Sequence, residues 1–193
     1  MKGKNILLKR LFDFSSSTSA VIIFLPLFAI IGLAIKKDSP GPFLFKQKRP
    51  GLNNVHFTIY KFRSMAVETP NVESAKLGEG VSYITKTGKF IRRTSIDELP
   101  QLINVAKGEM SVVGPRPALY NQHELIKMRT EAGVHKVKPG ITGYAQVMGR
   151  DEISDEEKVK YDKYYVENQT FLFDMWIIWK TFINVISSKG VSH

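Results

Sequence analysis

Two adjacent carboxylates, Asp97 and Glu98, are the residues of this chain whose types and surroundings best fit catalysis. Arg92 and Arg93 precede them, and Arg116 follows between two prolines. Carboxylate oxygens bind Mg²⁺, and guanidinium groups bind phosphate oxygens in pairs. An ionised aspartate can also be a nucleophile in its own right. The combination therefore fits magnesium-assisted phosphoryl transfer, with the metal bridging carboxylate and diphosphate oxygens.

The same carboxylates have a purely structural explanation. Pro100 lacks a backbone donor and is tolerated in the first turn of a helix, so a helix is expected to begin close to Asp97. Ser95 and Glu98 have the spacing of a capping box, and Asp97 is itself a favourable N-cap residue. An acidic first turn needs no catalytic role, and the residues alone leave both explanations open.

Composition limits the class of protein. The chain has 193 residues, of which 43% are apolar and 24% charged, so it should fold around a core. Its 28 basic and 18 acidic residues leave a net charge of +10, which favours anionic partners such as nucleic acid, lipid headgroups or phosphorylated substrates. Because the chain has no cysteine, disulfides, thiolate metal sites and a cysteine nucleophile are excluded.

An uncharged segment from Phe14 to Ile35 indicates a membrane helix. Its 22 residues would extend about 33 Å as a helix, enough to cross a bilayer. Pro26, near its middle, predicts a kink or break. Basic residues flank both ends, which places both ends in the cytoplasm and favours a re-entrant hairpin. An ordinary kinked span and a buried core helix are the alternatives.

The remaining chain predicts an α+β fold, mainly helical with a small β-hairpin. Turn residues at 38–42 separate the membrane segment from the rest, and strands are expected at 43–47 and 55–62. Residues 66–82 are expected to form a loop, and helical spacing returns around 99–106, 119–128 and 155–186. The last of these is broadly apolar, which fits either an interfacial amphipathic helix or a core helix packed on the hairpin.

Several long motifs, in a fixed order, resemble those of the bacterial sugar transferases, the monotopic polyprenyl-phosphate phosphoglycosyl transferases. The resemblance extends from about Lys9 to Thr181, nearly the whole chain. The matching stretches are Lys9-Arg10-Leu11-Phe12-Asp13, Ser39-Pro40-Gly41-Pro42, Tyr60-Lys61-Phe62-Arg63-Ser64-Met65, residues 92–101, Asn104 with Gly108-Glu109-Met110-Ser111 and Gly114-Pro115-Arg116-Pro117, and Pro139-Gly140-Ile141-Thr142-Gly143 with Ala145-Gln146-Val147.

The resemblance implies a reaction and roles for individual residues. Family members transfer sugar-1-phosphate from a UDP-sugar to undecaprenyl phosphate and release UMP, the first membrane step of surface-glycan biosynthesis. Asp97 matches the nucleophile that forms a covalent phosphosugar intermediate, Glu98 its partner, and Mg²⁺ is the cofactor. Arg92 matches a phosphate contact and Arg116 a contact on the nucleotide side. Asp174 matches a further acidic position, for which no role is assigned.

The resemblance also implies a location and a domain organisation. Residues 1–37 correspond to a re-entrant helix–break–helix with Pro26 as the break, and residues 38–193 to a cytosolic catalytic domain that lies on the membrane as one unit with it. The expected location is the cytoplasmic face of the bacterial inner membrane, in the short, catalytic-domain-only form. Leu25 stands where some members carry serine, and Tyr144 replaces a frequent tryptophan.

Further basic residues are candidates for substrate binding. Lys61 and Arg63, with Lys36 and Lys37, are expected to attract the two phosphates and anionic lipid. A solvated basic rim without substrate contact is the alternative for each. The expected partners are thus a UDP-sugar, undecaprenyl phosphate, membrane lipid and downstream glycosyltransferases.

Two other classes of function compete with the enzyme hypothesis. The charge, with Phe57, Tyr60 and Phe62 beside basic residues, could belong to a membrane-tethered nucleic-acid-binding module. A membrane adaptor in which Asp97 only caps a helix is the third hypothesis. Asp97→Asn would leave both of these functions intact, and the family resemblance favours the enzyme, with no nucleic acid as partner.

Overall fold

A computed structural model describes residues 3–69, 83–149 and 153–187, and it confirms the mainly helical α+β fold. Most of the expected loop, residues 70–82, lies outside the described residues. The helices are α1 Gly3–Asp38, α2 Lys86–Arg93, α3 Gln101–Lys107, α4 His123–Glu131, α5 Tyr144–Met148, α6 Asp155–Glu167 and α7 Phe171–Ile186. The strands are β1 Leu44–Pro50, β2 His56–Phe62, β3 Ser111–Val113 and β4 Gly140–Thr142.

The predicted hairpin is confirmed. Strands β1 and β2 are antiparallel, with Leu44 opposite Phe62 and Pro50 opposite His56. The connection contains Asn53 and Asn54, whose φ angles of +53° and +60° are left-handed, a conformation that asparagine tolerates better than most residues. The turn closes the hairpin and sets the register that carries Lys61 on β2.

A second sheet was not predicted. Strands β3 and β4 pair in parallel, with Ser111 opposite Gly140 and Val113 opposite Thr142. Three residues are too few to show the alternation that marks a strand in sequence. The segments approach so closely that a Cβ on Gly114 would clash with the carbonyl oxygen of Lys138. Glycine is therefore required where the chain leaves β3 toward Arg116.

Helix α1 is a single element rather than two. The expected break at Pro26 does not divide it, because the helix continues from Gly3 to Asp38 with Pro26 inside. Proline removes its own backbone donor, but the hydrogen bonds on either side still hold the helix together. Among the described residues, α1 is the one helix long and apolar enough to cross a membrane.

Both ends of α1 contact the rest of the protein, while its middle is exposed. Near the start, Asp13 Oδ1 accepts a hydrogen bond from the Val112 amide of β3 at 3.0 Å. Near the end, Asp38 Oδ2 accepts one from the Thr87 amide of α2 at 2.7 Å. Between them, four apolar side chains are 62–70% exposed, namely Ile22, Ile23, Leu25 and Ile30.

Three apolar clusters form the core. The first joins the C-terminal half of α1 to β2 and α2 through Ile31, Ile35, Phe62 and Ile91. The second joins β2 to α3 through Ile59, Val105 and Met110, and the third contains Val113, Tyr165 and Ile177. The 3₁₀ turn Ile96–Glu98 connects the first two clusters. Ile96 packs on the first, and α3, which follows the turn, contributes Val105 to the second.

Helix α7 exposes large apolar side chains on its outer face. Asp174 and Ile177 are buried, whereas Leu172 is 80% and Trp179 is 56% exposed. Its buried side packs on β3 and on Tyr165 of α6. A soluble surface helix carries mainly polar residues on its outer side, so the exposed apolar face of α7 fits the expected interfacial helix.

Candidate active site

Three separate elements bring a carboxylate and two cations together. Glu98 lies in the 3₁₀ turn Ile96–Glu98, Lys61 on β2, and Arg116 in the segment after β3. Lys61 Nζ lies 2.8 Å from Glu98 Oε1, and Arg116 Nη1 lies 3.1 Å from Glu98 Oε2. The second Arg116 nitrogen, Nη2, donates to Glu98 Oε1, so the Arg116 contact is bidentate.

The capping explanation for the acidic pair is wrong. Ser95 makes no side-chain capping hydrogen bond, and its φ of +56° is left-handed. Helix α3 begins only at Gln101, after Pro100. Glu98 instead directs its carboxylate at Lys61 and Arg116, so its role is to bind cations rather than to cap a helix.

The two adjacent carboxylates differ electrostatically. Burial raises the pKa of Asp97 to about 6, with the neighbouring Glu98 charge adding to the rise and Lys61 opposing it. Burial also acts to raise the pKa of Glu98, but Arg116 and Lys61 outweigh it and hold that pKa well below its ordinary value. Glu98 is therefore ionised throughout the physiological range, while Asp97 has the more basic carboxylate.

Asp97 is buried among cationic side chains. It is 9% exposed, and Lys61 and Arg116 are close enough for their charges to lower its pKa against the effect of burial. Arg92, in the last turn of α2, is close enough for its charge to lower the pKa of Asp97. A poorly solvated carboxylate with cations around it fits a nucleophile approached by an anionic group.

Of the four basic residues proposed to bind substrate, the structure brings Lys61, Arg92 and Arg116 to the acidic pair. Burial lowers the pKa of Lys61, while Glu98 opposes that shift. The Arg116 side chain is 41% exposed, so it is accessible to a ligand. These three residues form, with Asp97 and Glu98, the carboxylate–cation site.

Arg63 does not join this site. It is buried, and its guanidinium donates to the carbonyl oxygens of Ser39 at 2.7 Å and Pro40 at 2.6 Å. These contacts hold the turn after α1, and we therefore correct its assignment from substrate binding to structure. The sequence could not separate Lys61 from Arg63, because residues two apart lie on the same face of a regular strand. Strand β2 ends at Phe62, so Arg63 does not follow that rule.

Arg49 of β1 is a residue that the sequence analysis did not single out as part of the site. Its Nη1 donates to the Pro117 carbonyl oxygen at 3.1 Å. Burial and the nearby Arg116 charge lower the pKa of Arg49 to about 10, and Glu98 opposes the shift. No local pattern marks Arg49, because only the return of the chain after β3 places Arg116 beside it.

The acidic pair has the donor type that Mg²⁺ prefers. Carboxylate oxygens are hard ligands, and Mg²⁺ is commonly held by one or two carboxylates plus substrate phosphates and water. In the part of the chain that the structure describes, no cluster of three or more histidine, aspartate or glutamate side chains is present. Asp97 and Glu98 could thus hold the ion only together with oxygens from a ligand, which fits a phosphorylated substrate.

Asp174 lies in a separate buried network. Its carboxylate accepts from Lys9 Nζ at 2.7 Å and from the Tyr165 hydroxyl at 2.7 Å. Both donors also contact the Val113 carbonyl oxygen, at 3.0 and 3.1 Å. Asp174 therefore links α7 to α1 and α6, and its two partners also bind the last residue of β3.

A cavity of about 140 Å³ adjoins the acidic pair. It lies between the 3₁₀ turn, α3, α5 and α7, and Glu98 forms part of its wall. Aliphatic side chains such as Leu99 and Val185 line it together with Thr142 and Gln146. The site thus combines a charged centre with a partly apolar recess.

The fold and site together define a class: a helical α+β domain with a long apolar helix at its start and a carboxylate pair held among arginine and lysine side chains. Comparison with known proteins agrees. The chain belongs to the bacterial sugar transferase family, whose sequence profile matches residues 4–188.

Individual relatives are similar over nearly the whole chain. EpsL of Bacillus subtilis, named an uncharacterized sugar transferase, is 44% identical, covering 97% of this chain and 92% of EpsL. The exopolysaccharide production protein PSS of Rhizobium leguminosarum bv. phaseoli is 40% identical, covering 96% and 99%. The UDP-glucose:undecaprenyl-phosphate glucose-1-phosphate transferase of Escherichia coli is 39% identical, covering 98% of this chain but 42% of that protein.

Proposed function

We propose that this protein transfers sugar-1-phosphate from a UDP-sugar to undecaprenyl phosphate and releases UMP. The observation that carries the proposal is the buried Asp97 beside a Glu98 that is bound by Arg116 and Lys61. The Escherichia coli relative, named for this reaction with UDP-glucose, supports the substrate classes. The similarity covers 98% of this chain and 42% of that relative.

The donor half of the reaction uses Asp97 as the nucleophile. An Asp97 carboxylate oxygen attacks the β-phosphorus of the UDP-sugar, and the bond from that phosphorus to the bridging oxygen breaks. UMP leaves with the bonding electron pair, and the sugar phosphate stays on Asp97 as an acyl phosphate. Because the pKa of Asp97 is raised to about 6, its carboxylate is more nucleophilic than an ordinary aspartate yet ionised at neutral pH.

The acceptor half regenerates the enzyme. A phosphate oxygen of undecaprenyl phosphate attacks the same phosphorus, the bond to Asp97 breaks, and the carboxylate is released. The product is the polyprenyl diphosphate sugar. A covalent intermediate allows a water-soluble donor and a membrane-bound acceptor to react in turn at one site.

The cations around the acidic pair serve the phosphates. Arg92, Arg116 and Lys61 offset the negative charge of the diphosphate as it approaches two carboxylates. Asp97 and Glu98 would hold Mg²⁺, which would supply Lewis-acid stabilisation of charge on the leaving group. Glu98 also orients Arg116 through its bidentate contact.

The exposed helices serve membrane binding. The apolar middle of α1 and the outer face of α7 would lie in lipid. The contacts of Asp13 and Asp38 with the same domain support a placement of both ends of α1 on one side of the bilayer. We therefore assign the catalytic domain to the cytoplasmic face, where nucleotide sugars are available.

A single-turnover assay tests the donor half directly. Purified protein in detergent, with Mg²⁺ and a panel of UDP-sugars but no acceptor, should release at most one UMP per protein. The peptide that contains Asp97 should gain the mass of one sugar phosphate. Asp97→Asn should abolish both signals, and Asp155→Asn, which changes an exposed carboxylate on α6, should leave both intact.

The same assay separates the competing functions. UMP release by Asp97→Asn at the wild-type rate would reject the nucleophile. Nucleic-acid binding that weakens steeply with salt and ignores Asp97→Asn would instead favour the nucleic-acid-binding hypothesis.

A further inference from the structure

Arg116 is held at both its side chain and its backbone. Its guanidinium contacts Glu98, and its carbonyl oxygen accepts a hydrogen bond from Arg129 Nη1 at 2.8 Å. We infer that Arg129, oriented by the buried Asp162, is a positioning residue that sets the place of the Arg116 side chain in the active site. The inference rests on the proposed function, because it assigns to Arg129 an effect on the donor reaction.

Arg129 is itself fixed in orientation. Its Nη2 donates to Asp162 Oδ2 at 2.6 Å while its Nη1 contacts Arg116. The Asp162 side chain is 1% exposed and that of Arg129 is 11% exposed. A planar guanidinium with its two terminal nitrogens bound to different partners has little freedom to rotate. Helices α4 and α6 thus determine where the donor to Arg116 lies.

The sequence around Arg116 makes such an external contact important. Pro115 and Pro117 lack backbone donors, so the segment can be held mainly through its carbonyl oxygens. Three consecutive carbonyls are bound from three elements: Pro115 by the Gly140 amide at 2.9 Å, Arg116 by Arg129 at 2.8 Å and Pro117 by Arg49 at 3.1 Å. Of the three donors, Arg129 acts on the residue whose side chain enters the site.

Arg129 acts through Arg116 rather than on the substrate. Its two terminal nitrogens are used by Arg116 and Asp162, and its charge faces a buried carboxylate. Loss of its geometry would let the Arg116 backbone shift. A shift of about 1 Å at a group that binds the reacting phosphate can lower the rate on the order of a hundredfold.

A double-mutant cycle tests this role. Arg129→Lys keeps a positive charge opposite Asp162 but loses the two-pronged geometry. We expect it to slow single-turnover UMP release about tenfold when Arg116 is present and less than about twofold in an Arg116→Ala background. Asp155→Asn, which removes the exposed Asp155–Lys158 ion pair on the same helix as Asp162, is the matched control and should change neither rate.

A general packing role would give a different result. Equal slowing in both backgrounds, or no slowing with Arg116 present, would overturn the inference. If Arg129→Lys does not fold, the neutral pair Arg129→Gln with Asp162→Asn replaces it in the same cycle. Calorimetry can repeat the cycle without turnover by measuring the affinity of each variant for UDP in the presence of Mg²⁺. Wild-type protein that binds UDP but releases no UMP from any UDP-sugar would reject the proposed function, separately from the role of Arg129.

Discussion

At the residue scale, neighbouring side chains of the same type have different roles because of what surrounds them. Asp97 and Glu98 are adjacent, yet burial raises the pKa of Asp97, whereas Arg116 and Lys61 lower the pKa of Glu98 and keep it ionised. Lys61 and Arg63 are two positions apart, yet one contacts Glu98 and the other holds a turn. Chemistry at this site is therefore decided by contacts and not by residue type.

The raised pKa of Asp97 predicts competition between protons and Mg²⁺. Below a pH of about 6 the carboxylate is increasingly protonated and loses the charge that attracts the ion. We expect the Mg²⁺ concentration for half-maximal UMP release to fall as pH rises from 5.5 to 7.5, and EDTA to stop the reaction. A metal requirement that does not change with pH would contradict ligation by Asp97.

Arg63 is predicted to affect stability rather than substrate affinity. Arg63→Ala removes the donor to the carbonyl oxygens of the half-buried Ser39 and the exposed Pro40, and it also removes a buried side chain, which should cost about 1–3 kcal/mol of unfolding free energy. Thermal unfolding in detergent measures the loss, and Arg93→Ala, at an exposed arginine, is the control. A higher KM for the UDP-sugar with unchanged stability would restore the original assignment.

At the element scale, α7 shows how a helix can serve two environments. Its inner side carries Asp174 and packs against β3, and its outer side presents large apolar residues. The Asp174 network therefore joins a helix with an exposed apolar face to the strand that precedes Arg116. Under the proposed function, the elements that would bind the membrane and those that would bind phosphate are thus in direct contact.

The tryptophans of α7 report on its outer face. Trp176 and Trp179 are the two tryptophans of the chain and are 38% and 56% exposed. In vesicles that contain brominated lipid, we expect their fluorescence to be quenched strongly and to be protected from iodide in water. The variants Trp176→Phe and Trp179→Phe separate the two signals. Quenching by iodide alone would show that this face lies in water.

At the scale of the whole molecule, α1 is the element that contacts separate parts of the domain along its length. Its first half contributes Lys9 and Asp13 to the contacts with β3, and its second half contributes Ile31 and Ile35 to an apolar cluster. The protein therefore folds around a helix whose central part is exposed and apolar. An exposed apolar surface of this extent is typical of a site that contacts lipid or another protein, and lipid is the partner that the proposed function favours.

One-sided membrane topology is the corresponding prediction. Since the chain has no cysteine, Lys4→Cys and Lys37→Cys each introduce a single labelling site. A membrane-impermeant maleimide should label both in inverted inner-membrane vesicles and neither in intact spheroplasts, because both ends of α1 contact one domain. Labelling of the two sites from opposite faces would show a single crossing.

Local patterns in the sequence determined the parts of the fold that are long or regular. The uncharged run of α1, the β-branched and aromatic residues of β1 and β2 and the helical spacing of α3, α4, α6 and α7 are patterns that extend over several neighbouring residues. Asp97 and Glu98 stand out because two acidic residues follow a basic stretch, and the motif order identified the family. The reaction that the motifs imply stays a prediction with its tests.

Only the tertiary structure decided how those residues are used. The pairing of β3 with β4, the contact of Arg116 with Glu98 and the contact of Arg129 with the Arg116 carbonyl join residues far apart in the chain, and no local period encodes them. The structural contacts of Arg63 also join separate elements, the turn after α1 and the end of β2. Burial, hydrogen bonding and charge pairing act through space, so they assign a role to each side chain only after the chain has folded.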